Sequence, residues 1–266
     1  MNTSSIKHEQ LNGWHRVTFN RPEQQNTLTP DIVVSLANAL TVCENDSSAR
    51  AFVIEGSGEY FSNGMDLVSA AEGGGVRGGG EEFLQLLKRF IVSPVVIVSM
   101  VDGKARGGGV GIVAASDFVY ATPRSQFSLP EILWGLLPCT IAPFLIRRVG
   151  YRVCQQMTLS TLPVNSKLAL DYGLVDSIED HALSQLLQRL QMVAPEAIGK
   201  AKQYLSKLWI MDDAMLNGTL DELDILLKST EVSQRLNEFK QSNTYPWEQL
   251  TNRVISVDVD AQRNSK

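Results

Sequence analysis

Cysteine is scarce in this chain: Cys43, Cys139 and Cys154 are the only three in 266 residues. An odd number without metal-like spacing argues against a disulfide framework and against a zinc site, and it fits a reducing compartment. Apolar residues never run to the roughly 18 that a membrane-spanning helix needs, and the opening MNTSSIKHEQ lacks an apolar leader core. The expectation is a cytoplasmic protein that does not engage a membrane. Positive charge is also thin. Lys and Arg total 24 against 29 Asp and Glu, a net charge of -5. Neutralising phosphates takes concentrated cations, so nucleic acid is not an expected partner. Histidine occurs three times, at positions 8, 15 and 181, far in sequence from the motifs described next. A nucleophilic Cys139 would need a nearby His as its base, so a Cys–His dyad is disfavoured. What remains is 44% hydrophobic and 20% charged, a balance that excludes disorder as the dominant state.

Short apolar runs alternate with helical periodicity. Arg16–Phe19 reads as a strand ending before Asn20-Arg21-Pro22. Thr29 is placed to cap a helix with Pro30 at its first position, and Val33, Leu36, Ala37 and Leu40 fall on one face of it. Ala51–Ile54 and Val95–Met100 are continuous apolar runs, the pattern of strands buried on both faces. Between them Phe83, Leu86, Leu87 and Phe90 mark a second amphipathic helix that Pro94 stops. A small-residue helix over Val110–Ala115 and a strand over Asp117–Ala121 follow. This alternation predicts an α/β core of βαβ units. Beyond Pro143 the pattern is almost wholly helical: Asn165 caps a helix ending near Gly173, and two or three helices run from His181 to Gln241. The run from Gly73 to Gly80 is the most biased stretch, read as a flexible surface loop or a mobile lid.

Two glycine segments each follow a buried strand: Phe61-Ser62-Asn63-Gly64-Met65-Asp66-Leu67, and Gly103 to Gly109. Ligands in α/β sheets bind outside the carboxyl ends of strands, where glycine lets backbone N–H groups come close. A pair of such amides, one at a helix start, can hold an oxyanion; tight packing is the plainer reason for glycine there. Glu131, flanked by Leu129, Pro130, Ile132, Leu133 and Trp134, is the candidate acid/base. Partial desolvation would raise its pKa and suit it to proton transfer near neutral pH; the plainer alternative is a helix-terminus glutamate. Asp66 reads as a helix cap, Tyr60 as a pocket border or a packing residue, and Arg147-Arg148 as a solvated face or a contact for an acidic partner.

Taken together, these segments resemble the crotonase (enoyl-CoA hydratase/isomerase) superfamily. The matching stretches are Asn20-Arg21-Pro22, Phe61 to Leu67, Gly103 to Gly109, Ala115-Ser116-Asp117, Phe127 to Ile132 with Gly135 and Pro138, and Ala169 to Asp176. The resemblance spans residues 14 to about 240 and keeps order and spacing. It implies a crotonase fold: a spiral of ββα turns over residues 1–195, a C-terminal helical trimerisation region over 196–242, and a polar tail over 243–266. It also implies a homotrimer or hexamer. The implied substrate is an acyl thioester on a phosphopantetheine arm, with no metal or redox cofactor. Backbone N–H groups of Met65 and Gly108 would stabilise the thioester oxygen as it becomes an enolate, and Glu131 would move the proton.

One departure bears on the chemistry. Hydratases of the family use two glutamates, and the position of the first is held here by Gly111. A single carboxylate favours syn elimination of water over its addition. Gly107 to Asp117, Glu131 to Pro138 and Pro143 to Gly150 further resemble the dehydratases of polyketide β-branching cassettes. That resemblance implies dehydration of 3-hydroxy-3-methylglutaryl on an acyl carrier protein to the 3-methylglutaconyl thioester. The free distal carboxylate of such a substrate calls for a cation, and Lys104, Arg106 and Arg77 are the candidates. The competing expectations are a CoA-dependent enoyl hydratase or isomerase, a decarboxylating crotonase, and a non-catalytic carrier-binding protein.

Overall fold

The computed structural model describes residues 4–66, 75–209 and 213–245. Its strands fall into two sheets. β1 (Ile6–Leu11) and β2 (Trp14–Phe19) form an antiparallel hairpin around Asn12-Gly13. β3 (Ala51–Gly56), β5 (Val96–Val101) and β7 (Phe118–Ala121) extend that sheet from β2 in parallel, in the order β1-β2-β3-β5-β7. The second sheet is made of short strands: β4 (Tyr60–Ser62), β6 (Lys104–Arg106) and β8 (Gln126–Ser128) run parallel, and β9 (Val164–Asn165) closes it antiparallel. Each turn of chain therefore gives a long strand to the first sheet and a short one to the second, and then enters a helix. This is the ββα spiral expected above. α2 (Gly75–Val92) follows β4, α3 (Gly108–Ala115) follows β6, and a 3-10 turn, Glu131–Trp134, follows β8.

The long strands are apolar throughout because both faces are covered. Phe52, Ile54 and Ile97 join the main core with Leu36, Leu40, Phe83, Leu87 and Phe90 from the helices. On the opposite face Val53, Val96, Val98 and Tyr120 meet Leu190 and Ile198. The leading helix, α1 (Pro30–Asn45), begins as its sequence requires: the Thr29 hydroxyl accepts from Ile32 N at 3.4 Å, and Pro30 occupies the first position. The Asn165 side chain caps α5 (Ser166–Asp171) by accepting from Leu168 N at 2.9 Å.

Two expectations are corrected. Gly75–Gly80 are the first residues of α2 rather than loop, and Gly80 is buried within it. The glycines cost helix propensity, but a helix already committed by its Phe83–Phe90 face packs against α1 and α3, and that tertiary contact outweighs the local preference. Gly73 and Gly74 lie outside the described residues. Beyond α4 (Ala142–Ser160) and α5 the described residues form four helices rather than two or three: α6 (Ala182–Leu190), α7 (Pro195–Lys207), α8 (Asp213–Leu227) and α9 (Thr230–Ser242). At the start of the polar tail, Tyr245 packs 4.8 Å from the Phe239 ring and 6.1 Å from Trp134. The stretch Val254–Val259 lies outside the described residues. Among the described residues no helix is long and apolar enough to cross a membrane.

A buried polar cluster lies at the β1–β2 hairpin. His15 is 0% exposed, and both of its ring nitrogens are engaged. Nε2 donates to Asp46 Oδ2 at 3.0 Å, and Nδ1 accepts from His8 Nε2 at 2.9 Å. Asp46 also accepts from Ser48 and Gln10, and these donors hold its carboxyl below the ordinary range.

Candidate active site

β4, β6 and β8 lie side by side and parallel, so their carboxyl ends open at one edge. Three segments emerge there: Asn63-Gly64-Met65 after β4, Gly107-Gly108 after β6, and Leu129-Pro130-Glu131 after β8. The Asn20-Arg21-Pro22 region, read from sequence only as a motif, braces the first of them. Buried Asn26 donates to the carbonyls of Ser57 at 2.9 Å and Tyr60 at 2.7 Å, and its own carbonyl accepts from the Ser62 hydroxyl at 2.8 Å. Leu28 N donates to Gly64 O at 2.8 Å, and Asp66 N donates to Leu28 O at 3.2 Å. These bonds on either side leave the Met65 N–H facing away from residue 28.

Gly64 adopts φ +87, and a Cβ there would sit 2.8 Å from Arg106 O and 3.0 Å from Gly108 N. Only glycine allows the two strand ends to approach so closely. A Cβ on Gly108 would lie 3.5 Å from Met65 N, so the two amides expected to act together are neighbours. Gly108 opens α3, where the N–H groups of the first turn have no intrahelical partner and the helix dipole favours negative charge. Among the described residues neither the Met65 nor the Gly108 amide donates to a protein acceptor.

Glu131 closes the third side. A Cβ on Gly107, which has φ +48, would lie 3.2 Å from Glu131 Oε1. The residue as a whole keeps some exposure, but its Oε2 is shut from solvent and has no hydrogen-bond partner. Burial pushes the carboxyl up to about 7. Glu131, Gly107, Gly108, Gly64 and Met65 border one cavity of about 500 Å³. Its far wall comes from the C-terminal helices, with Leu223, Phe239 and Tyr245 beside Trp134 and Leu136. That wall is not legible in the sequence, because residues some hundred positions downstream carry only an ordinary amphipathic pattern.

The three candidate cations separate. Arg106 lines the cavity and donates to Asn63 Oδ1 at 3.5 Å, with its guanidinium 5.5 Å from the Tyr60 ring centre. Lys104 does not line it: two residues earlier on the same face of β6, its ammonium lies over Tyr60 at 5.1 Å. The backbone of Arg77 lies in α2, and its side chain is outside the described residues. Sequence reading missed Arg21 and Thr140, both of which line the cavity. Cys139 lines it too, with its thiol pushed up to about 11 by burial, which keeps it protonated and unreactive at neutral pH.

Gly111, the position where a hydratase would carry its first glutamate, is occupied from outside. A Cβ at 111 would come 2.4 Å from Ile141 Cγ2 and 3.1 Å from Ile141 Cβ. The packing of α3 against the start of α4 thus excludes a carboxylate at position 111. Such a site can remove and return a proton beside a carbonyl whose developing charge two amides would receive.

The profile of the enoyl-CoA hydratase/isomerase family matches residues 9–243. The Bacillus subtilis bacillaene synthase dehydratase PksH is 30% identical over 239 residues, covering 87% of this chain and 92% of that protein. The 2,3-dehydroadipyl-CoA hydratase of Escherichia coli is 30% identical over 195 residues, 71% of this chain and 76% of that protein. Among solved structures, the pksH product of Bacillus subtilis, described as a polyketide biosynthesis enoyl-CoA hydratase, superposes with a TM-score of 0.84 at 28% identity, over 91% of this chain and 99% of that one.

Proposed function

The chain belongs to the enoyl-CoA hydratase/isomerase family, and on that premise we propose that it is a crotonase-type hydro-lyase that dehydrates a 3-hydroxy-3-methylglutaryl thioester on an acyl carrier protein. The observation that carries this reading is the lone buried carboxyl of Glu131, unpartnered at Oε2 and poised at about 7, beside the Met65 and Gly108 amides. Similarity to the bacillaene synthase dehydratase supports the polyketide context.

In the proposed reaction the Glu131 carboxylate takes the proton from C2 of the acyl group. The electron pair moves toward the thioester oxygen, where the Met65 and Gly108 N–H groups receive the charge; one such donor is worth on the order of 100- to 1000-fold in rate. The C3–O bond then breaks, the C2–C3 double bond forms, and Glu131 returns the proton to the departing hydroxyl. Water leaves and the carboxylate is regenerated. A pKa close to the working pH suits a group that must both accept and donate. The chemistry draws on no metal or redox cofactor. Arg106 is the residue proposed to hold the distal carboxylate, since it alone of Lys104 and Arg106 reaches the cavity. Exposed Tyr151 and Leu159 on α4 support assembly with further copies of the chain, as a trimer or hexamer.

Similarity to a CoA-linked hydratase favours the rival of simple hydration, but the packing at Gly111 leaves no room for the second carboxylate that reaction uses. Intact-protein mass spectrometry of the loaded carrier separates the readings. Wild type is expected to remove 18 mass units, the mass of one water, and Glu131→Gln to slow this by about 1000-fold or more. Full dehydration by Glu131→Gln, loss of carbon dioxide instead of water, or turnover of crotonyl-CoA but not of the loaded carrier would overturn the proposal.

A further inference from the structure

Two buried side-chain polar atoms among the described residues have no hydrogen-bond partner: Glu131 Oε2 and Thr140 Oγ1. Both residues border the same cavity. Thr140 is 4% exposed. Three other buried hydroxyls among the described residues are satisfied by protein groups. Ser62 donates to Asn26 O at 2.8 Å, Ser116 to Ile112 O at 2.9 Å and Ser125 to Val101 O at 2.8 Å. A buried hydroxyl left unpaired destabilises the fold, so one retained in a cavity wall points to a partner supplied by the ligand.

The local backbone holds Thr140 in place. Pro138 O accepts from Ile141 N at 3.2 Å and from Ala142 N at 2.8 Å, which fixes the turn carrying residue 140. The next side chain, Ile141, fills the space beside Gly111. The same turn therefore blocks one route for a second carboxylate and carries a buried, unpaired neutral hydroxyl in the cavity wall. Resting on the dehydratase reading above, we propose that Thr140 is a second catalytic residue whose hydroxyl hydrogen-bonds the departing 3-hydroxyl oxygen of the substrate. As the C3–O bond lengthens, that oxygen gains negative charge, and a neutral donor stabilises it without adding an anion beside Glu131. The proton that completes the water still comes from Glu131, and Thr140 keeps its own.

The test compares Thr140→Val, which preserves shape, with Thr140→Ser, which preserves the hydroxyl. Dehydration of the carrier-bound 3-hydroxy-3-methylglutaryl group is measured beside binding of the carrier-bound 3-methylglutaryl group, which lacks the 3-hydroxyl. Thr140→Val is expected to lower kcat about tenfold or more and Thr140→Ser less than about threefold, as for one hydrogen bond to a charged oxygen, with binding of the hydroxyl-free thioester unchanged in both. Full kcat in Thr140→Val, or equal weakening of the hydroxyl-free thioester, would overturn the assignment. If wild type itself releases no water, the dehydratase reading fails, and Thr140 is judged by binding alone. A wild-type preference for the hydroxylated thioester that Thr140→Val abolishes then supports the contact; a preference that is absent or survives refutes it.

Discussion

The His15 ring and the Glu131 Oε2 atom are both shut away from solvent, yet the chain treats them in opposite ways. Each nitrogen of His15 has a partner, Asp46 on one side and His8 on the other. Glu131 has a carboxyl oxygen with none, in a cavity wall that also carries the unpaired Thr140 hydroxyl. The first cluster ties the edge hairpin to the end of α1; the second holds unmet hydrogen-bonding capacity where an acyl group would sit. Burial alone does not mark chemistry. What separates the two regions is whether the protein itself completes the hydrogen bonds.

The strongest test of that contrast is His15→Leu. It should lower unfolding free energy by about 2–4 kcal/mol, since it strips a donor from Asp46 and orphans His8. Turnover per folded molecule should stay within about twofold of wild type, the effect expected of a change remote from the cavity. Urea denaturation beside an active-site-normalised rate checks both, and a lost rate with intact stability would erase the distinction. Glu131→Gln should do the reverse. A carboxyl held near 7 in the folded protein keeps its proton more tightly than in the unfolded chain. The contribution of Glu131 to wild-type stability is therefore fully present below about pH 4 and is lost as pH rises through 7. Glu131→Gln removes that decline and should be the more stable protein above pH 7, by up to about 3 kcal/mol, with the gap closing on acidification. A gap that does not change with pH would contradict the raised carboxyl.

The smallest expected effect is at His8, which is exposed on one side. Its pKa is lowered by burial and by neighbouring His15, so the fold favours its neutral form. That contribution is present above the ordinary histidine value near 6.5 and is lost as pH falls through the lowered one. His8→Gln should cost about 1 kcal/mol at pH 8 and flatten the acid side of the stability profile. Thermal melts from pH 8 to pH 5 would show it, and an unchanged acid slope would assign the acid sensitivity to other groups.

Much of this could be read from the sequence. Thr29-Pro30 and Asn165 announced helix starts because capping is local chemistry. The Gly64 and Gly107-Gly108-Gly109 segments stood out because each puts glycine after a buried strand, but the choice of the Met65 and Gly108 amides came from resemblance to the family rather than from the spacing. Three features were not legible. Strands of two or three residues such as β4 and β9 are too short to show a period. Gly75–Gly80 lost their loop character to packing that no local window contains. Thr140 has no motif at all: a lone threonine becomes informative only when its neighbours are seen to leave it unpaired. Lys104 and Arg106 are two residues apart on one strand, and only the position of the cavity edge tells them apart.

The contact between Ile141 and the space at Gly111 also sets an order of events for anyone who would redesign this enzyme to add water. An acidic side chain installed at 111 first meets an occupied site and strains the helix that presents the Gly108 amide. Trimming 141 first would open the room, at the expense of a loosened wall. The dependence runs one way in sequence space: position 111 cannot be exchanged profitably until 141 has been trimmed.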